Sequence, residues 1–247
     1  MMTDPEFAEI SGHHASEESY YVSITDLLIG LLFIFIILLT FFAAQFRDKS
    51  DQIVSANQTR AELLQKMASD MERRNIEVTL DLPRGILRLS GTGLFETGER
   101  DPTDYGNEAI TALADTMARH LPCYSHTADG TGPADCEQAA HTIDTVILEG
   151  HTDETRVVSA GWVRDNWDLS AARATSTYRK LVSQQPILSD LRNAPPDTAT
   201  VEPLFSTAGF ADKRPIASGS SDAAKAENRR IDIRVVMAPP KPAELAV

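Results

Sequence analysis

The sequence predicts one membrane-spanning helix followed by a single mixed domain of α/β (α+β) class. Three observations carry this. Leu27 to Phe46 is a run of twenty uncharged residues, broken only by Gly30, Thr40 and Gln45. Residues 47 to 75 are charged and contain neither Pro nor Gly, the composition of a helical connector. From Ile76 onward, short alternating apolar stretches are interleaved with amphipathic ones, as strands and helices around one core require.

At 1.5 Å per residue the uncharged run covers about 30 Å, the hydrocarbon thickness of a bilayer. Residues 1 to 19 carry five acids and no Lys or Arg, whereas a cleavable signal peptide needs a basic start and a shorter apolar stretch. The expectation is therefore a tail over 1–19 and a retained span over 20–46. Lys and Arg flank the span only on its C-terminal side, at Arg47 and Lys49, which taken alone favours an outside N-terminus.

Asp26 stands at the N-terminal edge of the uncharged run. Starting the helix near Tyr20 and Tyr21, residues suited to a membrane-interface belt, puts the carboxyl inside the membrane. An acid persists there only where it faces protein or water, or is neutralised by a proton or cation. Gly30, Phe33, Ile37 and Thr40 fall near the same helix face, and Gly30 lets a neighbouring backbone approach. The alternative is a helix beginning at Leu27 with Asp26 as its N-cap.

In the connector, Ile53, Ala56, Leu63, Leu64, Met67 and Met71 recur at roughly helical spacing. So thin an apolar face predicts either pairing with a second copy or a neighbour, or a solvated spacer. A plug role for its first part, residues 47 to 60, stays open.

Downstream, Ile76–Leu82 and Ile86–Ser90 flank Pro83-Arg84-Gly85 as a strand pair would. Asn107–Leu121 reads as an amphipathic helix stopped by Pro122, Thr145–Leu148 as an apolar strand, Trp167–Val182 as a helix and Ile231–Met237 as an alternating strand. The Pro-rich residues 239–247 are expected to be disordered. About 160 residues suffice for an independent core.

Cys123 and Cys136, the only cysteines, bracket a Gly/Pro/Asp-rich stretch. As a disulfide they would be worth about 3 kcal/mol and would require an oxidising compartment. As two unpaired loop thiols they would imply neither. His120, His126 and His141 lie nearby, but their spacing fits no zinc pattern. The excess of 36 acidic over 23 basic residues, a net charge of -13, argues against nucleic acid as a partner.

Gly150-His151-Thr152-Asp153 follows directly on Val146-Ile147-Leu148. Then come Asn166, Leu169-Ser170, Arg173-Ala174, Gly209-Phe210, Pro215 and Asn228-Arg229-Arg230-Ile231. This ordered set resembles the OmpA-like peptidoglycan-binding domain over residues 76 to 238. The ligand implied is the diaminopimelate end of a peptidoglycan stem peptide, which carries an ammonium and a carboxylate on one carbon. By resemblance Asp153 takes the ammonium, Arg173 the carboxylate through paired hydrogen bonds, Asn166 and Leu169 contact the peptide, and Arg229 adds a further basic position. The alternatives are a surface helix charge for Arg173 and a turn cap for Asp153, and by the same resemblance His151 is a structural residue rather than a ligand or base. The 154–165 loop, with Val157, Val158 and Trp162, is longer than the family pattern, and the cysteine loop looks like an insertion. No nucleophile with a base and no catalytic carboxylate pair is marked out, so no enzymatic activity is expected.

A single span with an intramembrane acid, a helical connector and an OmpA-like domain together resemble MotB-type stator subunits. Within that group, Tyr21 to Phe35 looks most like the B subunit of Zorya anti-phage defence systems. The resemblance implies a homodimer inside a pentamer of multi-span A subunits, with proton (alternatively sodium) passage at Asp26 and no cofactor or metal. It also implies membrane lipid around the span and peptidoglycan as anchor. The N-terminus would be cytoplasmic and the C-terminal domain periplasmic, overruling the charge count. Flagellar stator and passive anchor are the alternatives.

Overall fold

The computed structural model of the chain describes residues 6–89, 93–131, 136–157 and 162–240, with side-chain surroundings from Tyr21 onward. The chain divides into two compact units, Met1–Gln52 and Ile53–Val247.

The first unit is helical. Helix α1 spans Glu6–Glu72, and among the described residues it is the one helix long and apolar enough to cross a membrane. Its apolar window has a mean hydropathy of 3.0 and is not covered by other parts of the chain. Helical backbone continues on both sides of Asp26, so this residue is not an N-cap. Thr40 satisfies its own hydroxyl by donating to the carbonyls of Ile36 and Ile37, at 3.0 and 2.9 Å, as a polar residue on an otherwise apolar helix face can.

The second unit begins within the same helix, at Ile53. The connector expected over 47–75 is thereby divided: Ile53 is exposed, whereas from Ala56 onward its apolar face packs on the rest of the domain. Leu63, Leu64, Met67, Ala68 and Met71 are buried in the domain core. Asn75, with φ of 59°, reverses the chain after α1 in the left-handed conformation that ends many helices.

There follow β1 (Val78–Asp81), β2 (Ile86–Leu89), α2 (Asp104–His120), a 3-10 turn at Leu121–Tyr124, β3 (His126–Thr127) and β4 (Ile143–Gly150). The remainder is α3 (Asn166–Gln184), the short α4 (Ile187–Asp190), β5 (Leu191–Arg192), β6 (Phe205–Gly209), α5 (Asp222–Asn228) and β7 (Ile231–Met237). The expected strands and helices are present, several ends lying one to three residues farther out, while β1 is shorter than the expected Ile76–Leu82 at both ends and α2 stops one residue before Leu121. Ser90, Val158 and the tail from Lys241 onward lie outside the described residues.

Among the described residues the main sheet has the order β1-β2-β7-β4-β6, antiparallel except for the parallel pair β4–β6, and β3 pairs with β5. Strand alternation turns Leu87, Leu89, Val146, Leu148, Ile231, Ile233 and Val235 into the core, where they meet α1 and Ile110, Leu113 and Met117 of α2. Arg88, Glu149, Asp232 and Arg234 occupy the opposite face. The sulfurs of Cys123 and Cys136 are bonded, closing the loop after α2.

Candidate functional site

The site sits where β4 ends against the first turns of α3. In the parallel pair β4–β6, Gly150 lies beside Gly209. A β-carbon at Gly150 would come within 2.0 Å of the Ser170 carbonyl oxygen, and one at Gly209 within 2.6 Å of the Ala171 nitrogen. Only two glycines let α3 lie this close to the strands. Asp165 caps α3 by accepting from the N–H groups of Trp167 and Asp168, at 2.9 and 3.0 Å. Ser170 then accepts from the Ala211 N–H at 2.9 Å, tying the helix to the segment after β6.

Asp153 is 4% exposed. Its Oδ1 accepts from the Thr155 N–H at 2.8 Å and its Oδ2 from Nη1 of Arg229, also at 2.8 Å. Burial pushes its pKa up, but the hydrogen bonds from Arg229 and Thr155 outweigh this and hold the carboxyl below the usual carboxylate value. Arg229 also donates through Nε to the Phe95 carbonyl at 3.1 Å. Asn166 donates to the Asp153 carbonyl at 3.3 Å, while its own buried Oδ1 has no partner. Thr152 Oγ1 is likewise buried without one. The site thus combines an ionised carboxylate with two unmet polar oxygens, a donor-seeking set suited to an ammonium group.

Two expected contact residues stand elsewhere. Arg173 is 0% exposed, neither a surface helix charge nor open to a ligand carboxylate in this form. Its Nε, Nη1 and Nη2 donate to the carbonyls of Glu99 (2.9 Å), His151 (3.3 Å) and Glu96 (2.9 Å), and its guanidinium lies 4.7 Å from the centre of the Phe95 ring. Burial lowers its pKa to about 10, and the nearby Asp153 charge offsets part of that. It fastens the 96–99 segment to α3. Leu169, 2% exposed, packs beneath the site rather than facing it, because helix period turns it inward with Ala172 and Arg173.

Outside the buried centre, Arg100, Asp101, Trp162 and residues of α3 line a groove of about 300 Å³. Trp162 is 58% exposed, with the Arg100 guanidinium 6.0 Å from its ring centre.

The three histidines near the disulfide do not converge. His120 lies 2.7 Å from Asp70 and His141 2.9 Å from Ser55. The one cluster among the described residues with metal-ligand chemistry is Glu149, His151 and Asp232, whose candidate atoms lie within 4.8 Å of one another. Its carboxylates are taken by arginines, through Arg234 to Glu149 and Arg88 to Asp232 at 2.5 and 2.9 Å, so a cation is poorly suited to it.

Sequence reasoning missed the role of Asn228. Its side chain accepts from the N–H groups of Ile216 and Ala217 and donates to the Ala217 carbonyl, pinning the 213–217 segment. Its place beside Arg229 in the ordered motif was the available signal.

Against known proteins, no protein-family profile matches the chain. It is 25% identical over 235 residues to the uncharacterized protein YtxE of Bacillus subtilis, covering 88% of each. The crystal structure of a MotB-like protein from Desulfovibrio vulgaris superposes with a TM-score of 0.51 at 17% identity, over 77% of this chain and 97% of that one. That likeness shows a shared fold. The cell wall anchor of the T6SS from Pseudomonas aeruginosa gives 0.47 at 21% identity, over 72% and 99%.

Proposed function

We propose that the chain is the peptidoglycan-anchored B subunit of a proton-driven rotary motor in the bacterial inner membrane, of the kind serving Zorya-type anti-phage defence. The observation that carries this reading is the buried Asp153 carboxylate, ion-paired to Arg229 beside the unmet Asn166 Oδ1. A diaminopimelate end offers the groups that such a site lacks. Its ammonium takes the place of Arg229 on Asp153 and donates to Asn166 Oδ1. Arg229, released, pairs with the carboxylate on the same carbon. Arg173 holds the carbonyls around the site in place and, by its charge, favours ionised Asp153.

The remaining parts of the reading rest on the helix of the first unit and the disulfide of the second. Within the span over 20–46 Asp26 is the one acid, and the Cys123–Cys136 bond suits an oxidising compartment, which supports a cytoplasmic N-terminus and a periplasmic domain. Two copies sit within a ring of five multi-span A subunits, with membrane lipid outside. Proton exchange at Asp26 alternates its charge, and each elementary charge crossing 100 mV releases about 2.3 kcal/mol, enough to bias a rearrangement of a few kcal/mol. No hydrolytic step and no cofactor enter.

The test separates anchor from motor. Asp26→Asn should abolish phage protection while the full chain in detergent still co-sediments with peptidoglycan sacculi. Protection that survives Asp26→Asn removes the motor and leaves a tether. A flagellar-type stator is the second reading, favoured by the shared fold with the MotB-like protein. Restoration of swimming in a stator-deficient host would decide for it.

A further inference from the structure

The sheet face opposite the core carries a second polar site that peptidoglycan anchoring does not use. There, with the 213–216 segment, a cleft of about 510 Å³ is lined by Arg84, Arg88, Lys213, Arg214, Arg230 and Arg234. Glu149 and Asp232 are the acids lining it.

The cause of this crowding is the strand register. Glu149 of β4 stands directly opposite Asp232 of β7, a like-charge pair that is destabilising by itself. Arginines answer it and exceed it. Arg88 and Arg230 both donate to Asp232, at 2.9 and 3.0 Å. Arg234 grips both oxygens of Glu149, at 2.5 and 3.0 Å, and Arg214 lies 3.9 Å from the same carboxylate. Arg84 and Lys213 have their own partners in Asp81 and Asp212. Four guanidiniums therefore face two carboxylates, leaving two positive charges in excess on a chain whose net charge is -13.

Within this cleft buried groups are left unmet. Arg230 is 2% exposed, and its Nη1 has no hydrogen-bond partner. Neither ring nitrogen of the buried His151 makes a hydrogen bond, Asp232 Oδ2 lying 3.5 Å from Nε2. Leaving such donors unmet is costly, and an oxyanion supplies the acceptors. At the rim, the Arg214 guanidinium lies 3.7 Å from the centre of the Phe210 ring, which itself stacks on His151 at 5.5 Å. An otherwise mobile surface arginine is held ready for a planar, two-bond contact.

We propose that this cleft binds a phosphate-class oxyanion, presented either as free phosphate or on a lipid headgroup. The full chain in a neutral detergent is dialysed to equilibrium against labelled inorganic phosphate at fixed ionic strength. Its thermal unfolding is followed in phosphate and in matched chloride. The expected result is saturable binding with a dissociation constant below about 1 mM, a phosphate-specific rise in Tm, and about ten-fold weaker binding in Arg214→Gln. Arg214 is exposed, and its variant should retain the wild-type circular dichroism spectrum and sacculus binding. Displacement of phosphate by phosphatidylglycerol vesicles, but not by phosphatidylcholine vesicles, assigns the lipid source. Phosphate binding indifferent to both assigns the free anion. Absence of saturable binding up to about 20 mM, equal stabilisation by chloride, or unchanged affinity in both Arg214→Gln and Arg84→Gln overturns the proposal.

Discussion

Nη1 of Arg229 lies 2.8 Å from Oδ2 of Asp153, joining residues separated by 76 positions at the approach to β7 and the exit of β4. The pair both holds the fold at this point and occupies the carboxylate that a ligand ammonium would need.

Asp153→Asn should therefore weaken co-sedimentation with sacculi by about ten-fold or more, since a charge-assisted contact is lost. In the wild type, Asp153 is held below the usual carboxylate value, so its charge persists above the unfolded pKa of about 4 and is lost only as pH falls through the lower folded value. Sacculus binding should survive acidification to about pH 4.

Gly150→Ala tests the strand–helix contact. The added carbon would meet the Ser170 backbone carbonyl at 2.0 Å, and backbone cannot rotate away as a side chain can. A loss of about 3 kcal/mol or more is expected in denaturant titration, with Gly209→Ala behaving alike.

Leu64→Ala tests whether the end of α1 belongs to the domain. Leu64 is fully buried, so truncation should cost about 2–5 kcal/mol. A solvated spacer would show almost no change, and a helix serving only as a dimer seam would show a concentration-dependent one.

Replacing both Cys123 and Cys136 by Ser removes a cross-link closing a loop of about fourteen residues, for which chain entropy gives about 3 kcal/mol. Reduction of the wild type should lower Tm to that of the double variant, and reductant should leave the variant unaffected.

His151 sets an acid limit. Burial first, then the charges of Arg230, Arg214 and Arg88, lower its pKa to about 3, against the opposing pull of Asp232. Its unfolded form takes a proton near pH 6.5 and its folded form does not until about 3. Stability should therefore fall with decreasing pH across this window, by up to about 1.4 kcal/mol per unit from this group. His120, lowered chiefly by burial, adds to the same trend. His151→Gln should flatten the slope between pH 6 and 4 relative to the wild type, as measured by urea denaturation.

Much of the fold was legible because it depends on local period. The uncharged run, the alternation of Ile231–Met237 and the Pro83-Arg84-Gly85 turn each announce an element from their own residues. Strand β6 was not legible: it is an edge strand of Phe205, Ser206, Thr207, Ala208 and Gly209, with one bulky apolar residue and exposed polar ones. Helix α5 is seven residues of Ala, Lys, Glu, Asp and Asn, too short to show a period. The ordered motif marked the site, but as a string of residue types it could not separate Asp153, which ends up paired in the site, from Arg173 and Leu169, which support it from below.

The sequence by itself determined the long apolar helix, the α/β character of the domain beyond it and the residues gathered near the end of β4. Tertiary structure alone decided that Leu63, Leu64, Met67 and Met71 fill the domain's own core, that Arg229 rather than Arg173 faces Asp153, and that Glu149 meets Asp232 amid excess arginine. The reason is that hydrophobic period and turn chemistry act over a few neighbouring residues. Burial, ion-pair choice and strand register are set by contacts between segments many tens of residues apart.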